Sequence, residues 1–187
     1  MTAGNGLAEI FKKLCSELNR FKISYCVAGG FAVSLWGAPR GTEDIDLVIM
    51  LAETEKTRII DFLSSHFLLV QSHPENMVFG DIIIWRHIVK SAGNDNLYPL
   101  DMILARNDFL VKSLDRKIEL IYQGVTIPVI SIEDLLILKT ISNRDIDNFD
   151  KENLVKSGIP IDWNYLKNEL KKLNLDHSFF DHLANAV

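Results

Sequence analysis

Several things are scarce in this chain, and each scarcity excludes something. Of its 187 residues only two are cysteine, Cys15 and Cys26. Both lie in apolar-periodic segments, which reads as core thiols in a reducing compartment rather than a disulfide framework. No apolar run approaches the roughly 20 residues of a transmembrane helix, and the first residues, Met1 to Gly6, lack a charged segment followed by an apolar one. Neither a membrane span nor a signal peptide is expected, and the location expected is cytoplasmic. Positive charge is also short, 20 Lys and Arg against 25 Asp and Glu, for a net −5. That argues against a surface that coats nucleic acid in bulk, though it leaves room for a local basic groove. His66, His73, His87, His177 and His182 show no metal-ligand spacing, so a zinc site is not expected. Internal repeats, a GxSxG elbow and a P-loop pattern are missing as well. With 48% hydrophobic residues the chain can still bury a core, as one domain or a small domain with a helical appendage.

What is present is strongly patterned. Leu7, Ile10, Phe11, Leu14, Leu18 and Phe21 recur at helical spacing. Tyr25 to Ala28 reads as a short strand running into Gly29-Gly30, and Phe31 to Trp36 as a short helix stopped by Gly37 and Pro39. A strand is expected over Asp44 to Met50, an amphipathic helix over Glu53 to Phe67, and one strand over Phe79 to Val89. A loop at residues 91–96 and a strand from Leu97 to Leu104 follow. Lys117 to Tyr122 and Val125 to Ile130, around Gln123-Gly124, form a hairpin pattern. From Ser131 on, only helical periodicity remains. Ser131-Ile132-Glu133-Asp134 has the capping-box form and opens a helix over 132–142. Further helices are expected at about 144–156 and at 163–173, the latter with Asp162 as N-cap and Trp163, Leu166, Leu170 and Leu173 as its buried stripe. A short one follows Asp176. The fold class is α+β: a mixed β-sheet flanked by helices over residues 1–130, then a helical C-terminal part, residues 131–187, packed on it.

The chemistry concentrates around two carboxylates. Asp44 and Asp46 stand i, i+2 on an apolar strand and so project to one face, while Ile45 and Leu47 point the other way. Solvated carboxylates on an edge strand would explain the pair, but Ile45, Leu47, Val48, Ile49 and Met50 read as a strand buried on both faces. Carboxylates there are costly unless hydrated, paired or bound to metal. Asp101, in the apolar run Tyr98 to Leu104, completes a cluster if that strand neighbours the first, and could then act as general base. Otherwise it caps a loop. Asp81 and Asp95 have loop-like flanks. Gly29-Gly30 before a helix offers backbone N–H groups to a phosphate, although a tight turn needs such glycines too. Ser34, one helical turn on, is a phosphate donor or a helix-surface serine. Arg40 and Thr42 precede the pair and could position a triphosphate, with Arg40 equally able to pair with Glu43 or Asp44. Trp36 could stack on a base or fill the core. Lys139, and then Arg144, Asp147 and Asp150, read by themselves as ordinary surface ion pairs.

Taken together, Gly29-Gly30 followed by Arg40-x-Thr42-x-Asp44-Ile45-Asp46-Leu47 resembles the signature of the DNA-polymerase-β-like nucleotidyltransferases. The stretch from Val129 to Lys139, with Arg144, Asp147 and Asp150 after it, is similar to the C-terminal helical motif of the small AbiEii-type members, toxins of type IV toxin–antitoxin systems. The resemblance spans roughly residues 23–151. It implies a nucleotidyltransferase-like fold and transfer of a nucleoside monophosphate from an NTP to a hydroxyl of RNA (a tRNA end, for example), a protein or a small molecule, with release of pyrophosphate. The implied cofactor is Mg2+, or Mn2+ in its place, held by Asp44, Asp46 and Asp101 as catalytic carboxylates. Gly29, Gly30, Ser34, Arg40, Thr42 and Lys139 would bind the nucleotide, and an antitoxin-like regulator is the implied partner. Where many members carry Gly-Ser, this chain has Gly29-Gly30, so the hydroxyl on phosphate falls to Ser34 or Thr42. The rival expectations are a nucleotide-binding or interaction module of the same fold with weak or no catalysis, and a metal-dependent glycosyltransferase with an Asp-x-Asp motif.

Overall fold

An eight-stranded mixed sheet carries the first half of the fold. In this computed structural model, residues 4–73, 75–90 and 95–184 are described; the loop expected at 91–96 lies in part, at 91–94, outside the described residues. The chain divides into two compact units. One comprises the residues up to Phe31 together with Gly41–Ile130, the other Ala32–Arg40 and the chain from Ser131 onward. Among the described residues no helix is long and apolar enough to cross a membrane.

In the first unit, helix α1 (Gly4–Arg20) buries Leu7, Ile10, Phe11, Leu14 and Leu18, as its spacing requires. Strand β1 (Tyr25–Val27) leads into helix α2 (Gly29–Leu35), and β2 (Ile45–Ile49) returns antiparallel to β1. A 3₁₀ turn at Glu53–Glu55 precedes α3 (Lys56–His66), followed by β3 (Leu68–Ser72), β4 (Met77–Phe79), β5 (Ile82–Lys90) and β6 (Tyr98–Leu104). Helix α4 (Asp108–Asp115) and the hairpin β7 (Ile118–Tyr122), β8 (Val125–Val129) complete it. The strand order is β3-β5-β6-β2-β1-β8-β7, with β4 on β5. Strand β2 pairs parallel with β6, and β1 with β8.

Because β2 lies between β1 and β6, Ile45, Leu47, Val48 and Ile49 are completely buried. Each such side chain contributes about 1.5–3 kcal/mol. Cys15 and Cys26 are buried free thiols, and burial pushes Cys15 up to about 12.

Three details differ from expectation. The segment expected as one strand from Phe79 to Val89 is two: Phe79 pairs with Ile82 across Gly80-Asp81, and Gly80 takes φ +57 to make that turn. Strand β3 was not expected at all, nor was α4. Yet Asn107 caps α4 by accepting a hydrogen bond from the Leu110 amide at 2.8 Å, and Phe109, Leu110, Ser113 and Leu114 are its buried face.

The second unit is helical. After residues 32–40, it holds α5 (Ile132–Ser142), α6 (Asp145–Lys156), α7 (Trp163–Lys172) and α8 (Ser178–Ala184). Ser131 accepts from the Asp134 amide and Asp162 from the Tyr165 amide, so both expected N-caps are in place. Of the stripe expected on α7, Leu166 and Leu170 are fully buried, while Trp163 and Leu173 are half-buried. Helix α5 is buried over most of its length, polar residues included. Those polar groups are satisfied: Glu133 Oε1 accepts from the Asp162 amide at 2.9 Å, and Asp134 Oδ1 from the Tyr165 hydroxyl at 2.7 Å.

Candidate active site

The sheet register assembles the carboxylates. Asp46 on β2 lies directly opposite Asp101 on β6, and Asp101 directly opposite Arg86 on β5. Neighbouring strands are about 4.8 Å apart, so these three side chains form a row on one face. Asp44 stands two residues before Asp46, ahead of the first residue of β2, and joins that face. One oxygen each from Asp44, Asp46 and Asp101 lie within 4.8 Å of one another. Asp44 and Asp46 are half-buried and Asp101 is only 4% exposed.

The glycine pair borders the same carboxylates. Gly29 has φ +56, and a Cβ built on it would fall 1.7 Å from Asp46 Oδ2. Only glycine meets both demands, the left-handed backbone and the bare Cα. The Ala28 amide donates to the Asp46 carbonyl at 2.9 Å, which ties this turn to β2. Gly30 follows within α2 and is buried. Thr42 donates its hydroxyl to Asp44 Oδ1 at 2.8 Å and so fixes that carboxylate.

Arg86 adjoins this candidate site, and no motif in the sequence marks it. Its Nε donates to Asp101 Oδ1 at 2.7 Å and its Nη2 to Oδ2 at 2.6 Å. These hydrogen bonds to Asp101 come first in holding the guanidinium in its charged form; burial opposes them, and the charges of Asp101, Asp44 and Asp46 add to them. A strand-borne arginine amid Ile82, Ile83, Ile84, Ile88 and Val89 was the available signal, because it alternates with the buried Trp85 and His87.

Ser34, Arg40 and Lys139 belong to the helical unit. Ser34 Oγ donates to the Arg40 carbonyl at 3.3 Å and accepts from the Arg40 amide at 3.4 Å. Arg40 Nε lies 3.3 Å from Asp150 Oδ1. Lys139 Nζ lies 2.9 Å from Asp147 Oδ1 and 2.8 Å from Asp150 Oδ2. Arg144 adds a contact from Nε to Asp147 Oδ2 at 2.9 Å. The reading of Arg144, Asp147 and Asp150 as surface pairs is therefore corrected: both aspartates are completely buried. Burial works against ionised Asp147, but hydrogen bonds from Arg144 and Lys139 outweigh it and hold its carboxyl well below the ordinary range. Asp150 is held by charge, without an aligned hydrogen bond. Trp36 is half-buried, Asp81 is exposed in the β4–β5 turn, and Asp95 pairs with Lys90 at 3.7 Å.

The donor set on the sheet suits a hard divalent cation. It is all carboxylate oxygen, three groups can reach one point, and Gly29 lets the Asp46 carboxylate lie against the backbone where a side chain would stand.

No protein-family model and no curated protein matches this chain. Solved structures do. An antigenic nucleotidyltransferase-like protein from Paracoccidioides brasiliensis superposes with a TM-score of 0.60 at 22% identity, over 90% of this chain and 87% of its own. A lincosamide antibiotic adenylyltransferase bound to lincomycin gives 0.50 at 21%, over 79% and 94%. ANT(2'')-Ia, solved in complex with adenylyl-2''-tobramycin, gives 0.55 at 11%, over 89% and 97%. At these identities the likeness establishes the fold, a nucleotidyltransferase-like mixed sheet flanked by helices.

Proposed function

We propose that the protein is a nucleotidyltransferase that moves a nucleoside monophosphate from an NTP to an acceptor hydroxyl and releases pyrophosphate. The observation that carries this is the convergence of Asp44, Asp46 and Asp101 within 4.8 Å on a sheet of the nucleotidyltransferase-like fold. Asp44 and Asp46 hold Mg2+, with Mn2+ as its substitute, and Asp101 is the third carboxylate. When bound, such a cation would neutralise phosphate charge and steady the oxygen that leaves. Gly29 makes room for the Asp46 carboxylate, the backbone N–H groups of Gly29 and Gly30 are offered to phosphate, and Thr42 orients Asp44 rather than touching the nucleotide. Ser34, Arg40 and Lys139, expected to bind nucleotide, are assigned to the architecture of the helical unit, because Ser34 Oγ, Arg40 Nε and Lys139 Nζ meet partners there.

Among the acceptors considered, a small-molecule hydroxyl is favoured over RNA and protein. The lincosamide enzyme and ANT(2'')-Ia with its adenylylated tobramycin use this fold on small molecules, and a net −5 chain offers little general attraction to RNA. The AbiEii-type toxin reading, with an antitoxin-like regulator, rests on the resemblance over residues 129–150. The buried thiols suit a cytoplasmic location. One observation favours a second reading, a nucleotide-binding module without turnover: Arg86 already occupies both oxygens of Asp101.

Incubation with each labelled NTP, Mg2+ and a cell lysate, followed by separation of small molecules, RNA and protein, tests these readings together. Label is expected in the small-molecule fraction, lost with EDTA and reduced on the order of 10²–10³-fold by Asp44→Asn or Asp46→Asn. Undiminished transfer in both variants would refute the site. Mg2+-dependent NTP binding without transfer would select the module.

A further inference from the structure

The carboxylate cluster has a guanidinium at its side. Arg86 meets Asp101 through two parallel hydrogen bonds, 2.7 and 2.6 Å. Register builds this in, since Arg86, Asp101 and Asp46 are successive cross-strand neighbours on β5, β6 and β2. The charges of Asp44 and Asp46 act on the guanidinium as well as that of Asp101. All three carboxylates therefore share this cation, and it is permanent, because arginine keeps its proton in a protein.

The guanidinium has a second edge. Its Nε and Nη2 are turned to Asp101, whereas Nη1 has no hydrogen-bond partner among the described residues. The Asp101 side chain is 6% exposed and that of Arg86 35%, so this outward edge reaches solvent. Planar N–H donors of this kind match phosphate oxygens. Two other cations expected at the triphosphate are held in the helical unit, Arg40 beside Asp150 and Lys139 between Asp147 and Asp150. Toward a divalent cation the guanidinium of Arg86 acts in the opposite sense, since a like charge beside the carboxylates weakens their hold on a further positive ion. Phosphate on the outward edge offsets that charge, so each ligand makes the binding of the other more favourable.

We propose that Arg86 is a phosphate-binding residue of the nucleotide site and that, without nucleotide, its charge holds down the affinity of the carboxylates for free divalent metal, so that metal and nucleotide bind as a linked pair. The proposal rests on the metal–nucleotide reading above. The linkage requires only that Arg86 and the metal share the cluster of Asp44, Asp46 and Asp101, whose oxygens lie within 4.8 Å of one another.

Binding, not turnover, tests this. For the full chain, Mn2+ affinity without nucleotide is measured by loss of the free-ion electron paramagnetic resonance signal, and α,β-methylene-ATP affinity by calorimetry in EDTA. Arg86→Gln is expected to bind Mn2+ about tenfold more tightly than wild type and the metal-free analogue about tenfold more weakly, the order that one adjacent charge produces. Loss of a merely structural arginine would weaken both. Arg86→Lys, which keeps the charge, is expected to hold Mn2+ as wild type does. Its missing Nε–H resonance identifies that of Arg86, which is expected to shift in wild type when the analogue is added in EDTA. Mn2+ binding no tighter in folded Arg86→Gln, analogue binding undiminished in it, or an unmoved Arg86 resonance at saturation would each overturn the inference and leave the nucleotidyltransferase reading standing. A wild type that binds the analogue neither in EDTA nor with Mg2+ would sink that reading and the inference with it.

Discussion

A single methyl group at position 29 would occupy the place of an Asp46 oxygen, since the built Cβ lies 1.7 Å from it. That contact shows what was legible at the scale of one residue. Asp44, Asp46 and Asp101 could be picked out because carboxylates in apolar strands are conspicuous, and alternation fixes which side they face. Arg86 could not be picked out in the same way. Its significance depends on which residue sits across from it, and cross-strand register is absent from the local pattern. His87 is a second residue hidden for this reason. It is completely buried, neither ring nitrogen has a hydrogen-bond partner, and Trp85 packs against it with ring centroids 4.3 Å apart. Burial first, and the charge of His73 second, lower its pKa from 6.5 to about 4. The folded chain therefore resists a proton that the unfolded chain accepts. Stability is full above pH 6.5 and falls as pH drops from there toward 4. Between pH 7 and pH 5 the loss from this residue is about 2 kcal/mol. Urea unfolding at the two pH values should show it, and His87→Leu should flatten the slope in that window. An unchanged slope in the variant would mean that other groups carry the acid sensitivity.

Among the elements, the helices from α5 onward were easy to read because caps and turn signals bound them: Ser131 and Asp162 cap, and Asn143 closes α5 at φ +48. The harder elements were short. Strand β3 is an edge strand of five residues whose side chains are exposed or half-buried, so it carries little periodic signal. The β4–β5 turn hid because Ile82, Ile83 and Ile84 follow Gly80-Asp81 at once and the apolar run looked continuous. Polarity misled at α6, where i, i+3 charges imitate a solvated face. The buried cluster of Lys139, Asp147 and Asp150, with Arg40 and Arg144 at its edge, is what joins α5 to α6. Removing one partner of such a cluster leaves a buried charge uncompensated, which costs about 3–5 kcal/mol. Lys139→Met is expected to destabilise the chain by that order in urea unfolding. Adding Asp150→Leu should recover part of the loss, because the two positions are coupled. If Lys139→Met instead leaves stability intact while weakening NTP binding, the lysine belongs to the nucleotide after all.

For the molecule as a whole, the expected division into a sheet-bearing part and a helical part was drawn from a change of periodicity at Ser131. The two compact units are the residues up to Phe31 with Gly41–Ile130, and Ala32–Arg40 with the residues from Ser131. No linear reading would find that, because α2 is one continuous helix in the chain and its allegiance changes between Phe31 and Ala32. Asp44, Asp46 and Asp101 all belong to the sheet-bearing unit, where Arg86 relieves part of their mutual repulsion. A divalent cation arriving with a nucleotide would relieve more of it, and it has no such cluster to bind in the unfolded chain. Ligand binding to the folded state alone stabilises by RT ln(1 + [L]/Kd), about 2.7 kcal/mol when the ligand is at 100 times its Kd. For a chain of this size that is a rise in melting temperature on the order of 5–10 °C. The rise is expected with MgATP, small with ATP in EDTA or with Mg2+ alone, and absent in Asp44→Asn. An equal rise with ATP in EDTA would mean that the nucleotide binds without the carboxylates, and the site would have to be sought elsewhere in the molecule.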